Sequence, residues 1–110
     1  MEKLYVIVRS DLAPGAQIAQ SCHAVGAFAL AHPETYRAWL TGQSNIVCLN
    51  APDENELAHL LYEAECRGIS LAMFREPDFG ESLTAIALGD GASKLTSRLP
   101  LALRAPKLAA

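Results

Sequence analysis

Five consecutive apolar residues, Leu4-Tyr5-Val6-Ile7-Val8, constrain this chain more than any other feature. A strand with one face in water alternates polar and apolar residues. An unbroken run of this kind, three of its five residues β-branched, reads as a strand covered on both faces. Similar runs follow at Ile46–Leu49, Ile69–Phe74 and Leu83–Leu88. Strands of this type need helices above and below the sheet, so a three-layer α/β/α sandwich is the expected architecture. A chain of 110 residues, 51% hydrophobic and 19% charged, can bury one such core. Its composition excludes disordered and fibrous classes.

Helical patterns separate the first three strands. Pro14 and Gly15 open a segment in which Ile18, Cys22, Val25 and Ala29 recur at helical spacing, which predicts the buried face of a first helix. Pro33 breaks that helix, and Glu34–Leu40 forms a short second one ending near Gly42. Asp53, followed three residues later by Glu56, predicts the capped start of a third helix. Leu57, Leu60, Leu61 and Ala64 line its inner side, and Gly68 stops it. Connections of this length predict parallel strands joined by right-handed crossovers. The segment between the third and fourth strands, Glu76 to Ser82, is too short for a crossover. The last strand should therefore run antiparallel to the others, giving a mixed four-stranded sheet. A short helix over about Ala92–Leu99 ends at Pro100. The expected organisation is one domain over residues 1–100 and a C-terminal tail over 101–110.

The net charge is only −3, and it is unevenly placed. Residues 1–90 hold five Lys/Arg against twelve Asp/Glu, whereas Lys94, Arg98, Arg104 and Lys107 follow with no acid. Non-specific wrapping of nucleic acid is thereby disfavoured, since phosphate affinity comes from basic side chains. Any contact with RNA would use local positions such as these and Arg9, unless they are only a solvated helix and tail. Cys22, Cys48 and Cys66 lie far apart, without zinc spacing or a disulfide pattern, which suits packing roles in a reducing cytosol. No segment reads as a secretion signal or membrane span. No metal or cofactor is expected.

Arg9-Ser10-Asp11-Leu12 leaves the carboxyl end of the first strand, and Ala19-Gln20-Ser21-Cys22-His23-Ala24 follows in the helix. Ligands in open α/β sheets sit at that edge. Ala16, Gln20, His23 and Ala27 make a narrow face of small and polar side chains, on which Gln20 and His23 are one turn apart. Cys22 and His23 are adjacent and point about 100° apart, which argues against a thiolate–imidazole pair. Arg75-Glu76-Pro77-Asp78-Phe79-Gly80-Glu81 leaves the third strand at the same edge. A carboxylate from it could orient the His23 ring or activate water; otherwise it is a solvated acidic turn shaped by Pro77 and Gly80. Gly89-Asp90-Gly91 lacks the spacing and lysine of a phosphate loop. His32 reads as a helix-end residue and His59 as an exposed one; Phe28, Tyr36 and Trp39 read as core or cover.

Together these residues resemble the type 2 peptidyl-tRNA hydrolase family. The resemblance rests on Arg9-x-Asp11-Leu12, a Gly-containing turn, Ala19-Gln20-x-x-His23-Ala24, Ala51-Pro52-Asp53-Glu54 before a Leu-rich helix, and Thr84 with Ala85–Leu88 and Gly89. It covers residues 3–99 in order. It implies the mixed sheet, a homodimer, a cytoplasmic role in translation, and hydrolysis of the ester between peptide and tRNA. In its terms His23 is the candidate general base, Glu76 or Asp78 orients or polarises it, and Gln20 and Thr84 place the substrate. Arg9, beside Asp11, would hold phosphate together with Lys94 or Arg98. The family's Gly-Lys-Gly-Lys-like turn is absent: Ala16 stands at the lysine position, and the loop after the third strand is shortened. These departures are closer to a divergent peptidyl-tRNA hydrolase domain-containing subgroup. Two other functions stay open: a non-catalytic module of the same fold holding tRNA, peptide or protein, and hydrolysis of an unrelated small ester or amide.

Overall fold

The structure, a computed structural model, describes residues 1–104. Its elements run β1 (Lys3–Arg9), α1 (Pro14–Ala31), α2 (Pro33–Thr41), β2 (Asn45–Ala51), α3 (Glu54–Cys66), β3 (Leu71–Glu76), β4 (Ser82–Leu88) and α4 (Ala92–Thr96), with a single 3-10 turn at Pro77–Phe79 before β4. The four strands lie in the order β2-β1-β4-β3. β1 and β2 are parallel, and β4 is antiparallel to both of its neighbours, β1 and β3. The mixed sheet and its reversed last strand are as the connection lengths dictate.

The sheet carries one hydrophobic cluster on each face. Leu4, Val6 and Val8 point with Ala85 and Ala87 toward Ala24 and Phe28 of α1 and Trp39 of α2. Ile7, Ile86 and Leu88 point the other way, toward Leu57, Leu60 and Ala64 of α3. The central strands β1 and β4 are the ones covered on both sides, and the edge strands β2 and β3 expose Ile46 and Met73. The Asp53 carboxylate caps α3 by accepting from the Glu56 N–H at 2.9 Å, and Gly68 takes the left-handed conformation, φ +70°, that ends it.

Three expectations need correction. The side of α1 facing the sheet is Gln17, Gln20, Ala24 and Phe28, not the stripe through Ile18 and Cys22. Ile18 is 56% exposed. Two glutamines go inside because each finds fixed partners there, which removes the usual cost of burying an amide. The displaced stripe instead lines a surface groove of about 450 Å³ with Val6, Val8, Ile46, Cys48 and Leu103. Second, Cys22 and Cys66 are exposed rather than packed, and Cys48 is half-buried, its thiol pushed up by that burial. Third, packing does not stop at Pro100. The Asn50 N–H donates to the Pro100 carbonyl and the Ala102 N–H to the Cys48 carbonyl, so the start of the expected tail pairs with the outer edge of β2. The rest of that tail, 105–110, lies outside the described residues. His32 also does more than end a helix: its Nε2 lies 2.8 Å from the Leu71 carbonyl and its ring packs on Phe28.

Leu60 sits fully inside the α3-facing cluster. Leu60→Ala is expected to cost about 2–5 kcal/mol, read in chemical denaturation as a lower midpoint at unchanged slope. A cost below about 1 kcal/mol would show that α3 is not seated on the sheet in this way.

Candidate functional site

Two rungs join α1 to β3 at the carboxyl edge of β1. On the first, Gln20 Nε2 donates to Glu76 Oε1 at 2.9 Å. On the second, one helical turn further on, the His23 ring stacks on Phe74 with centroids 4.5 Å apart and planes 20° from parallel. Gln20 and His23 are i, i+3 on the helix, and Phe74 and Glu76 are i, i+2 on the strand. The two periods bring like positions onto facing surfaces.

Thr84 completes the arrangement from below. Its hydroxyl is fully buried and donates to Gln20 Oε1 at 2.6 Å, with the Phe74 carbonyl at 3.3 Å. Thr84 faces α1 because of a defect in the ladder. Phe74 stands opposite Ala85 while Arg75 stands opposite Leu83, so Thr84 is the extra residue of a β-bulge. Strict alternation would send Thr84 toward α3, because its neighbour Ala85 faces α1. The bulge turns both to the same side, a common use of this irregularity beside functional sites.

The result is a directional chain, from hydroxyl to amide oxygen and from amide nitrogen to carboxylate. Gln20, only 3% exposed, has its side-chain orientation set by having a donor on one side and an acceptor on the other. Glu76 uses its second oxygen to accept from the Asp78 N–H at 3.4 Å. Asp78 thus reaches the site through its backbone, and its side chain is exposed on the 3-10 turn. The expected link between His23 and a carboxylate takes a different form. The carboxylate goes to Gln20, and the imidazole lies on an aromatic ring, exposed to solvent at the same edge.

The basic residues are not gathered here. Arg9 makes two bonds of 2.9 Å to the Asp11 carboxylate and a third, of 3.3 Å, to the Leu83 carbonyl. The hydrogen bond from Arg9 holds the Asp11 carboxyl below its ordinary range, and Asp11 in turn raises Arg9. Lys94 is exposed on α4, which packs with α3 beneath the opposite face of the sheet. Arg98 follows α4 and lies 3.7 Å from Glu56 on α3. Ala16 stands on α1 one turn before Gln20. Among the described residues, no group of three or more His, Cys, Asp or Glu side chains is placed to hold a metal ion.

Sequence reasoning missed Phe74, which it treated only as part of an apolar run. It also missed a buried amide pair beside the site, Asn50 with Gln17. Asn50 Nδ2 donates to Gln17 Oε1 at 2.9 Å and to the Val8 carbonyl at 3.0 Å, and Gln17 Nε2 donates to the Leu12 carbonyl at 2.7 Å. This pair ties the β1–α1 turn to β2. Its signal was legible: Asn50 interrupts an apolar strand, and a polar residue there needs a partner.

Comparison with known proteins bears on the family and the fold. The family described as "Peptidyl-tRNA hydrolase PTH2" matches residues 2–103. A peptidyl-tRNA hydrolase of Thermococcus sibiricus is 32% identical over 107 residues, covering 88% of this chain and 91% of that protein. Among solved structures, a protein of unknown function from Agrobacterium tumefaciens C58 superposes with a TM-score of 0.66 at 18% identity, covering 90% of this chain and 96% of the other, which is a likeness of fold. The chain belongs to the type 2 peptidyl-tRNA hydrolase family.

Proposed function

We propose that the protein hydrolyses the ester joining a peptide to tRNA, and that it does so at the Gln20–Glu76–Thr84 chain with His23 beside it. The observation that carries this reading is the hydrogen-bonded chain itself. It joins one residue from α1, one from the end of β3 and one from the β4 bulge, all at the sheet edge where α/β folds bind ligands. Core packing does not call for a buried threonine and glutamine aligned on a carboxylate at the surface.

In this mechanism the His23 imidazole takes a proton from the attacking water and later returns it to the departing ribose oxygen of the tRNA. Glu76, fixed by Gln20 and the Asp78 N–H, presents its carboxylate to that water and to the imidazolium as it forms. Gln20 and Thr84 act by holding Glu76, because their polar atoms are already engaged with each other and with the carboxylate. With Ala16 at the lysine position, the developing oxyanion has no lysine partner from α1. Loss of one such donor costs on the order of 2.7–4 kcal/mol of barrier, so turnover is expected to be slow. Asp11 holds Arg9, and Glu56 lies beside Arg98. Tight electrostatic grip on the tRNA body is therefore not expected, and recognition centres on its aminoacylated end.

The same reading places the protein in translation in the cytoplasm, where three free thiols are chemically stable. Among the described residues no helix is long and apolar enough to cross a membrane. It also makes the protein a homodimer, with the apolar flank of Ile18, Cys22, Val25 and Ile46 as the surface a second copy covers. Ala16 supports one competing reading, a binding module that kept the cleft and lost the chemistry.

Purified protein incubated with N-blocked aminoacyl-tRNA is expected to release free tRNA. His23→Ala should lower the rate by roughly 10²–10⁴-fold, and Glu76→Gln should lower it without abolishing binding. Salt-dependent binding of tRNA with no release at high protein concentration would select the binding module instead. Release indifferent to His23→Ala would remove that residue from the mechanism. For the dimer, Ile46→Lys should shift the mass measured by light scattering from two chains to one. A wild-type protein that is monomeric at all concentrations would reject the dimer.

A further inference from the structure

The β1–β4 ladder stops one step before the bulge. Its register runs from Tyr5 opposite Leu88 to Val8 opposite Ala85. Continued, it would set Leu83 opposite Ser10, but β1 has ended at Arg9, and the Ser10 N–H points away to the Ala51 carbonyl of β2. The Leu83 peptide, next to Thr84 in the central strand, is thus left without a backbone partner on the β1 side. Two side chains take that place. Glu54, in the first turn of α3, accepts from the Leu83 N–H through Oε2 at 2.6 Å. Arg9 Nη1 donates to the Leu83 carbonyl at 3.3 Å, and Arg9 is itself locked by its paired bonds to Asp11.

We infer that Glu54 and Arg9 are positioning residues for the reaction: they clamp the Leu83 peptide in place of the missing strand and so hold the bulge that aims Thr84 at Gln20. Neither lies on the α1 face where substrate would sit. Arg9 follows Ile7 on the α3 side of β1, and Glu54 opens α3. The backbone groups that a bulge frees from the ladder need other partners where they are buried. Here a slip of one residue would return Thr84 to the α3 face and undo the whole chain to Glu76. The clamp also accounts for Arg9-x-Asp11 without assigning it to phosphate. Asp11 engages Nε and Nη2 of the planar guanidinium, which aims Nη1 at the carbonyl.

The inference rests on the hydrolase reading for its kinetic arm and has a second arm that does not. Glu54→Ala should lower kcat on the order of tenfold to a hundredfold with KM little changed, as expected when a reacting group is displaced by about an ångström. Glu54→Gln should recover most of kcat, because its carbonyl oxygen still accepts from the Leu83 N–H. Glu54→Asp keeps the charge but is a methylene short, and should behave like alanine. That order, glutamine above aspartate, is one that neither a charge effect nor a general loss of stability would produce. In parallel, the Leu83 backbone and Gln20 side-chain amide resonances should shift, and the Leu83 amide should exchange faster, in Glu54→Ala and Glu54→Asp but not in Glu54→Gln. The clamp is refuted if all three variants keep wild-type kcat, or if aspartate outperforms glutamine. If wild-type protein releases no tRNA, the hydrolase reading fails and the amide resonances decide alone, unchanged Gln20 signals in Glu54→Asp overturning the clamp. Should Glu54→Ala fail to fold, the aspartate and glutamine pair carries the same decision.

Discussion

The burial of Gln20 is the constraint on which the rest of the site depends. An amide that is 3% exposed, on the inner side of a helix, is costly unless both its oxygen and its nitrogen are satisfied. Thr84 supplies the donor and Glu76 the acceptor, each from a different strand. Because these partners are unlike, the amide can sit only one way round, and the helix can take only one rotation about its axis. That rotation puts Ala24 and Phe28 into the core and turns Ile18 and Cys22 out. It also brings His23 over Phe74, since a residue three positions on from Gln20 must face nearly the same way. The geometry of the candidate site and the helix packing are therefore one choice.

This is also why the sequence pattern misled at α1 and nowhere else to the same degree. Hydrophobic periodicity finds the buried face of a helix when burial is driven by apolar area, as in α3, where Leu57, Leu60 and Ala64 are inside as their spacing indicates. In α1 the sheet-facing side begins with two glutamines, and the apolar stripe beside it looks inward only if hydrogen bonds are ignored. The strands were more legible. Two unbroken apolar runs are the central strands, and the short link from Glu76 to Ser82 left no room for anything but a reversal. Edge positions were less visible, because Ile46 and Met73 look like core residues in sequence and are exposed by where their strands fall in the sheet order.

Within the site, legibility followed the length scale of the interaction. Gln20 and His23 share a helix face, a local fact, and their spacing alone brings them to one edge. Glu76 could be placed at that edge from the topology, but its partner could not, and the expected imidazole–carboxylate contact turned out to be an amide–carboxylate one. Arg9 shows the same limit. As a lone basic residue at the end of a strand it suggests phosphate, and only the fold brings Asp11 and the Leu83 carbonyl onto its guanidinium. Lys94 and Arg98 looked like companions because they stand in a basic stretch with no acid, yet β4 carries the chain to the far edge and the opposite layer before either occurs.

Thr84 lies beyond any local pattern, and the reason bears on how such a site tolerates change. Its side chain reaches α1 only because β4 holds one residue more than β3 at that level. A side-chain period of two makes the facing of every residue before the bulge depend on that one irregularity. Leu83 returns to the α3 side, and Thr84 and Ala85 share the other. The irregularity costs ladder hydrogen bonds at a central strand, where they are hardest to replace with water. Side chains from β1 and α3 make up part of that loss, through a carboxylate on an N–H and a guanidinium on a carbonyl, the stronger charge-assisted kind of bond. A lysine on α1 can be exchanged for alanine without touching this framework, because Ala16 lies outside the chain of bonds. Threonine, glutamine and the acid that ends β3 cannot be exchanged singly, since each leaves a partner unsatisfied. The bonds among Thr84, Gln20 and Glu76 thus make no demand on position 16, which is alanine in this protein.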